Sequence, residues 1–209
     1  MQHFIDLLKT RFTSLMPCQL CGLDLQLHHS LCHDCWAGLP WAGQQIHRHE
    51  LDIWVACHYR FPIDRVIQKF KYEEQLHYQQ LLAHCLMSLQ LPQVDALVAM
   101  PISTQRLVER GFNQMLIIAH IISKQLKLPI WQPVIRSAQH AQKGLSRNER
   151  IEKIERQFQI IASERHRYQR VLIIDDVVTT GSSLYALTQA LGRLGCTEVY
   201  SACIAAGKI

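Results

Sequence analysis

The sequence predicts an α/β domain, a mostly parallel sheet flanked by helices, preceded by a small module built on four cysteines. Three observations carry this reading. From Ile53 onward, short β-rich runs alternate with longer helical runs, the pattern of strand–helix–strand units. Residues 171–174, Val-Leu-Ile-Ile, are apolar at every position, as a strand buried on both faces must be. Residues 17–40 hold two tight cysteine pairs and little periodicity, so that segment needs a staple of its own. The chain therefore divides into 1–45, an N-terminal helix with the cysteine module, and 50–209, the larger domain.

Composition bounds the function classes. At 48% apolar and 19% charged residues, the chain matches an ordinary globular protein rather than a fibrous or disordered one. A formal charge of +5 permits nucleic acid or phosphorylated partners without requiring them. Asp6, Lys9 and Arg11 interrupt the apolar core that a signal peptide needs. The longest uncharged apolar-rich stretch, 112–123, falls well short of a bilayer span. These points place the protein in the cytoplasm with no membrane span. Cys57, Cys85, Cys196 and Cys203 are scattered among apolar neighbours, unlike a secreted disulfide framework.

In chain order, Phe4, Leu7, Leu8, Phe12 and Leu15 fall near helical spacing, so 3–15 reads as a short amphipathic helix. Residues 42–52 are polar and His-rich and read as a linker. Strands are expected at 53–59, 95–100, 130–135, 158–161, 170–175 and 198–204. Helices are expected at 63–70, 74–89, 112–126 and 182–194. In the last, Leu184, Leu187, Leu191 and Leu194 step by three and four into one apolar stripe.

The cysteines Cys18-x-x-Cys21 and Cys32-x-x-Cys35 form two knuckles in one short segment. Four thiolates so placed suit a tetrahedral Zn²⁺, with a closed and therefore structural site. His28, His29 and His33 are alternative ligands for one position, and paired redox thiols are the alternative chemistry. Trp36 and Trp41 beside the module are expected to pack into a core or to offer aromatic surface.

After the apolar tetrad come Asp175 and Asp176, then Val-Val and Thr179-Thr180-Gly181-Ser182-Ser183 leading into a helix. The carboxylates lie where the strand is expected to end, at the sheet edge where α/β proteins bind ligands. Gly181 permits positive φ and close backbone approach, and Ser182 or Ser183 is expected to cap the helix. Amides of such a turn and helix start converge on one point and favour an anion such as phosphate. Neither a Walker A loop nor G-x-G-x-x-G occurs, which removes the main support for nucleoside triphosphate or NAD. A second loop, Met100-Pro101 through Arg106, Arg110, Gly111-Phe-Asn-Gln114, carries two arginines about one helical turn apart. Guanidinium forks suit pyrophosphate oxygens, while solvated surface arginines would look the same.

The Asp175–Ser183 segment resembles the phosphoribosyl-pyrophosphate (PRPP) signature of type I phosphoribosyltransferases. With Arg-Gly-Phe-Asn-Gln, the N-terminal Cys₄ module, Phe70-Lys71-Tyr72 and Gln142-Lys143-Gly-Leu-Ser146, nearly the whole chain resembles the ComF/GntX family of competence-associated proteins. The resemblance implies a type I phosphoribosyltransferase fold behind a zinc ribbon. It implies that Asp175 and Asp176 hold the ribose hydroxyls and that Thr179, Thr180, Gly181, Ser182 and Ser183 wrap the 5-phosphate. Met100 and Pro101 would lie under the pyrophosphate, with Lys71 nearby and Mg²⁺ carried mainly by the ligand's own oxygens. Arg106, Arg110 and Lys143 are the candidates to stabilise departing pyrophosphate. Residues 59–92 would form the hood over the site, and loop 137–150 a closing lid.

Three functions fit. The first is a competence protein that binds PRPP and handles single-stranded DNA during natural transformation, beside other competence proteins. The second is a metabolic phosphoribosyltransferase that transfers the phosphoribosyl group to a base or amine and releases pyrophosphate. The third is a PRPP sensor without turnover. The residues name no acceptor base and no general base.

Overall fold

The computed structural model describes residues 16–27, 29–136, 157–163, 165 and 167–207. The amphipathic segment 3–15, His28 and the 137–150 loop with Lys143 lie outside them.

A five-stranded sheet organises the domain in the order β1 (Trp41–Arg48), β2 (Leu51–His58), β7 (Glu198–Ala206), β6 (Arg170–Val178), β3 (Ala96–Ala99). β1 and β2 are antiparallel; β2, β7, β6 and β3 run parallel. The expectation of a mostly parallel sheet holds. The helices are α1 (His33–Ala37) in the cysteine module, α2 (Ile63–Tyr72), α3 (Gln79–Met87), α4 (Thr104–Arg110), α5 (Gln114–Leu126) and α6 (Ser182–Arg193). A small antiparallel pair, β4 (Val134–Arg136) with β5 (Phe158–Ile160), stands apart from the main sheet.

The core lies where the sequence is most apolar. Residues 171–174 of β6 and all of β3 are fully buried, because these strands carry helices on both faces. Ile63, Val66, Ile67 and Phe70 give α2 one buried face at helical spacing. At the N-terminal ends of the parallel strands, Arg170 Nη2 donates to Asp95 Oδ1 at 2.8 Å and ties β6 to the start of β3.

Four expectations need correction. Segment 42–52 is not a linker: most of it is β1, a strand and its turn. Of that strand only Ile46 is buried, so an edge strand with one buried side chain leaves no alternating signal. The 130–135 run is a strand only from Val134, because Pro129 and Pro133 remove ladder donors. β6 does not end at Asp175 but continues through both carboxylates to Val178. Helix 74–89 is a 3₁₀ turn (Leu76–Tyr78) followed by α3.

Candidate functional site

Every parallel strand points its C-terminal end at the same edge, and there β6 delivers Asp175 and Asp176. Their backbones are neighbours, so the side chains start toward opposite faces. Asp176 is buried, and each of its oxygens has one partner. Its Oδ1 lies 2.7 Å from Lys71 Nζ, and its Oδ2 accepts from Gln114 Nε2 at 2.8 Å. Asp175 folds back, its Oδ1 accepting the Asp176 N–H at 2.9 Å. Burial, and next the Asp176 charge, push the Asp175 carboxyl up to about 7, against the opposing pull of Lys71 and Arg136. Each oxygen of Asp176 still has a lone pair to offer a ligand hydroxyl.

Three separate sequence motifs meet at this carboxylate. Lys71 and Tyr72 close α2. Arg110 closes α4, with its guanidinium 5.2 Å from the centre of the Tyr72 ring and Nη1 donating to Gln114 Oε1. Gln114 opens α5 and is itself buried. The junction is built by its neighbours. Gly111 takes φ +78 and stops α4, its N–H bonding Leu107 O. Phe112 packs edge-on against Phe70 at 6.1 Å. Asn113 caps α5 by accepting from Met115 N at 2.9 Å and donates to Met100 O at 3.2 Å, which pins the second loop to the helix. Ser103 caps α4 in the same way, so Arg106 and Arg110 do sit one turn apart. With Lys71, Tyr72, Glu74 and Glu109 they line a pocket of about 120 Å³.

On the other side of Asp175, residues 177–184 curl around a pocket of about 70 Å³. Gly181 is the helix N-cap with φ +82, and no side chain caps α6. The expected Ser182 or Ser183 cap is therefore corrected. Thr180 Oγ1 and Ser182 Oγ bond each other at 3.0 Å instead, and Thr180 Oγ1 also accepts from Ser182 N at 3.4 Å, a long bond at the first amide of α6 beside the pocket. Gly181 is required twice over, since a Cβ there would lie 3.0 Å from Arg48 Cβ and 3.1 Å from Arg48 O. The β1–β2 turn thus presses on the loop, with His49 packed on Tyr185 at 4.6 Å.

The structure adds a residue that the sequence reading missed. Arg136, at the end of β4, donates from Nη2 to Ser183 Oγ at 3.2 Å and lies 5.5 Å from the Phe158 ring. Burial lowers its basicity, while Asp175 and Asp176 raise it. The only local signal was a cation ending a strand run. Met100 and Pro101 are buried, and Met100 offers its carbonyl to Asn113, so this pair contributes backbone rather than side chain.

In the cysteine module the sulfurs of Cys18, Cys21, Cys32 and Cys35 all lie within 4.8 Å of one another, and Cys21 and Cys32 are 3.9 Å apart. Zinc–sulfur bonds of about 2.3 Å in a tetrahedron set sulfurs about 3.8 Å apart, so the donor set fits such an ion. Burial and the neighbouring thiols push Cys35 up, because thiols this close resist ionising together without a cation. Leu20 N and Cys35 N point at Cys18 Sγ and Cys32 Sγ. The module docks on α3: Tyr78 Oη donates to Gln19 O at 3.4 Å, and the His29 and His84 rings stack at 3.4 Å. Trp36 and Trp41 meet edge-to-face at 4.9 Å and pack against the core rather than forming free aromatic surface.

A phosphoribosyl transferase domain model matches residues 116–209. The chain is 28% identical to competence protein F of Haemophilus influenzae over 195 residues, 87% of this chain and 81% of that protein. It is 27% identical to DNA utilization protein YhgH of Escherichia coli over 200 residues, 90% of this chain and 82% of that one. Competence protein ComFC of Bacillus subtilis is 30% identical over 99 residues, 47% of this chain and 39% of ComFC. Parallel sheet, acidic pair, glycine-bearing loop and sulfur cluster agree with these matches: the chain is a homologue of competence protein F and ComFC, with a type I phosphoribosyltransferase fold behind an N-terminal four-cysteine cluster that can hold a metal ion such as zinc.

Proposed function

We propose that this chain is a ComF-type cytoplasmic protein that binds PRPP with Mg²⁺ and takes part in handling single-stranded DNA during natural transformation. One observation carries the ligand: a carboxylate pair on β6 flanked by the 177–184 loop pocket and by a pocket that Lys71, Arg106 and Arg110 line together with Glu74 and Glu109. The 5-phosphate sits in the 177–184 cradle, on the α6 amides and the Thr180, Ser182 and Ser183 hydroxyls. The ribose hydroxyls meet Asp175 and Asp176. The pyrophosphate points toward Lys71, Arg106 and Arg110, whose cations match its charge. Among the described residues, the side chains grouped closely enough to hold a metal ion are the four cysteines, so Mg²⁺ arrives on the ligand's oxygens. Zinc on the cysteines holds the module's shape.

The DNA role rests on what the relatives are named, together with the net positive charge. The flanking pockets also favour a second reading, phosphoribosyl transfer. In that case Arg106 and Arg110 stabilise the leaving pyrophosphate while the carboxylates orient an oxocarbenium-like ribose.

Titration calorimetry with PRPP and Mg²⁺ tests the ligand. Binding is expected for the intact chain and is lost in Asp175→Ala/Asp176→Ala; retained binding in the folded double variant refutes the site. Affinity for a single-stranded oligonucleotide is expected to fall as salt rises, and a salt-independent affinity counts against phosphate contacts. Release of pyrophosphate from PRPP with a panel of bases distinguishes transfer from binding alone.

A further inference from the structure

Two exposed aromatic side chains bracket one helix. Phe61, 76% exposed, precedes the N-cap of α2, and Tyr72, 72% exposed, ends it. Every other Phe, Tyr and Trp among the described residues is half-buried or buried. A single exposed ring is ordinary, but these two share their surface with cations. Ile63, Val66, Ile67 and Phe70 turn one side of α2 into the core, and helical periodicity then places Arg65, Gln68 and Tyr72 on the opposite side. Arg65 and Gln68 are exposed, Lys69 beside them is half-buried, and Arg60 is exposed just ahead of Phe61. Among the described residues, no ion pair engages Arg60, Arg65 or Lys69. The acids stand aside: Asp64 Oδ1 accepts from Arg65 N at 2.7 Å, and Glu73 and Glu74 follow the C-terminal end of the helix. Tyr72 is also braced, since the Arg110 guanidinium against its ring is itself bonded to Gln114.

We propose that this outer face of α2 is the surface that contacts single-stranded DNA: bases stack on Phe61 and Tyr72, and the phosphates between them run over Arg65 and Lys69, with Arg60 at the Phe61 end. The inference rests on the single-stranded DNA reading above and gives it a location. Rings at the two ends and cations between them match what a single strand offers, π-faces joined by a charged backbone. A duplex keeps those faces inside its own stack. The lengths agree, because the ten residues of α2 span about 15 Å, or about four nucleotides at the duplex spacing of about 3.4 Å per strand.

Fluorescence anisotropy of a labelled oligothymidylate on the full zinc-loaded chain, at a series of salt concentrations, tests the surface. Phe61→Leu keeps apolar bulk but removes the ring, and it should weaken the complex about 5- to 150-fold; Tyr72→Leu should do likewise. Arg65→Gln should reduce the slope of log affinity against log salt by about 0.7, the share of one phosphate. The urea midpoint of each variant should stay at the wild-type value, because all three side chains are exposed. In the wild-type chain, an iododeoxyuridine-bearing strand should photo-crosslink to Phe61 or Tyr72. Wild-type binding with unweakened ring variants, or crosslinks confined to other residues, would overturn the surface and leave the single-stranded DNA reading standing. A wild-type chain with no affinity for the strand would overturn both. Equal affinity for the duplex with oligoadenylate would rule out stacking and with it the proposal. Self-association lost in Phe61→Leu while DNA affinity is intact would assign the face to a second copy instead.

Discussion

Replacing Gly181 by alanine separates two demands that the structure makes on the 177–184 loop. The first is conformational: φ +82 is left-handed, and an alanine held there costs about 1–2 kcal/mol. The second is steric. The new Cβ would meet Arg48 Cβ at 3.0 Å and Arg48 O at 3.1 Å. Those atoms belong to the stem and backbone of the β1–β2 turn, where His49 and Glu50 already hold φ of 48 and 65, so the turn must shift as a unit. Overpacking of that kind costs about 1–3 kcal/mol more, for a total of about 2–5 kcal/mol. Gly111→Ala is the internal control: φ there is +78, but the added Cβ meets no heavy atom within 4 Å. It should lose only the conformational part, about 1–2 kcal/mol. Urea unfolding with matched m-values reads the difference, with the Gly181 variant expected to be the less stable by about 1–3 kcal/mol. Equal losses, or a milder loss at Gly181, would refute the claim that the hairpin braces the loop.

Three further outcomes follow from the site. Asp175 is pushed up to about 7 from 3.8, so its folded form keeps a proton that the unfolded chain gives up. Its contribution to stability is therefore present below about pH 4 and lost as pH rises to about 7, whereas PRPP affinity, which uses the carboxylate, rises over the same window; Asp175→Asn should flatten both curves in chemical denaturation and calorimetry. Arg136→Met removes a charge-assisted donor beside Ser183 and should weaken PRPP roughly 10- to 150-fold in calorimetry with the far-UV spectrum unchanged. Elemental analysis should find one zinc per chain; Cys32→Ser or a strong chelator should remove it and open residues 16–40 to proteolysis while the sheet domain persists.

What the sequence revealed and what it hid divide along physical lines. The β6 tetrad, its carboxylates and the loop beyond were legible because burial on both faces, a positive-φ glycine and a small-residue turn into a helix each leave a local mark. The cysteine cluster was legible from spacing alone. Strand β1 was not, since an edge strand that buries only Ile46 has no apolar rhythm. Arg136 was hidden because its meaning arises from a tertiary approach to Ser183 that no local pattern encodes. The Arg-Gly-Phe-Asn-Gln motif was visible as a string, but its logic was not. Gly111 stops one helix, Asn113 starts the next and holds Met100, and Gln114 reaches across 62 residues to Asp176. The expected serine cap failed for a related reason: the N-cap is Gly181, and Thr180 and Ser182 turn their hydroxyls to each other, with Thr180 Oγ1 also accepting from Ser182 N at 3.4 Å.

The most direct measurement is a crystal structure of the chain with PRPP and Mg²⁺. The 5-phosphate is expected within hydrogen-bonding distance of the amides of residues 180–183, the ribose hydroxyls on Asp175 and Asp176, and the pyrophosphate toward Arg106. A 5-phosphate bound elsewhere, or a cradle that stays closed to it with Asp176 shielded by Lys71 and Gln114, would contradict the assignment.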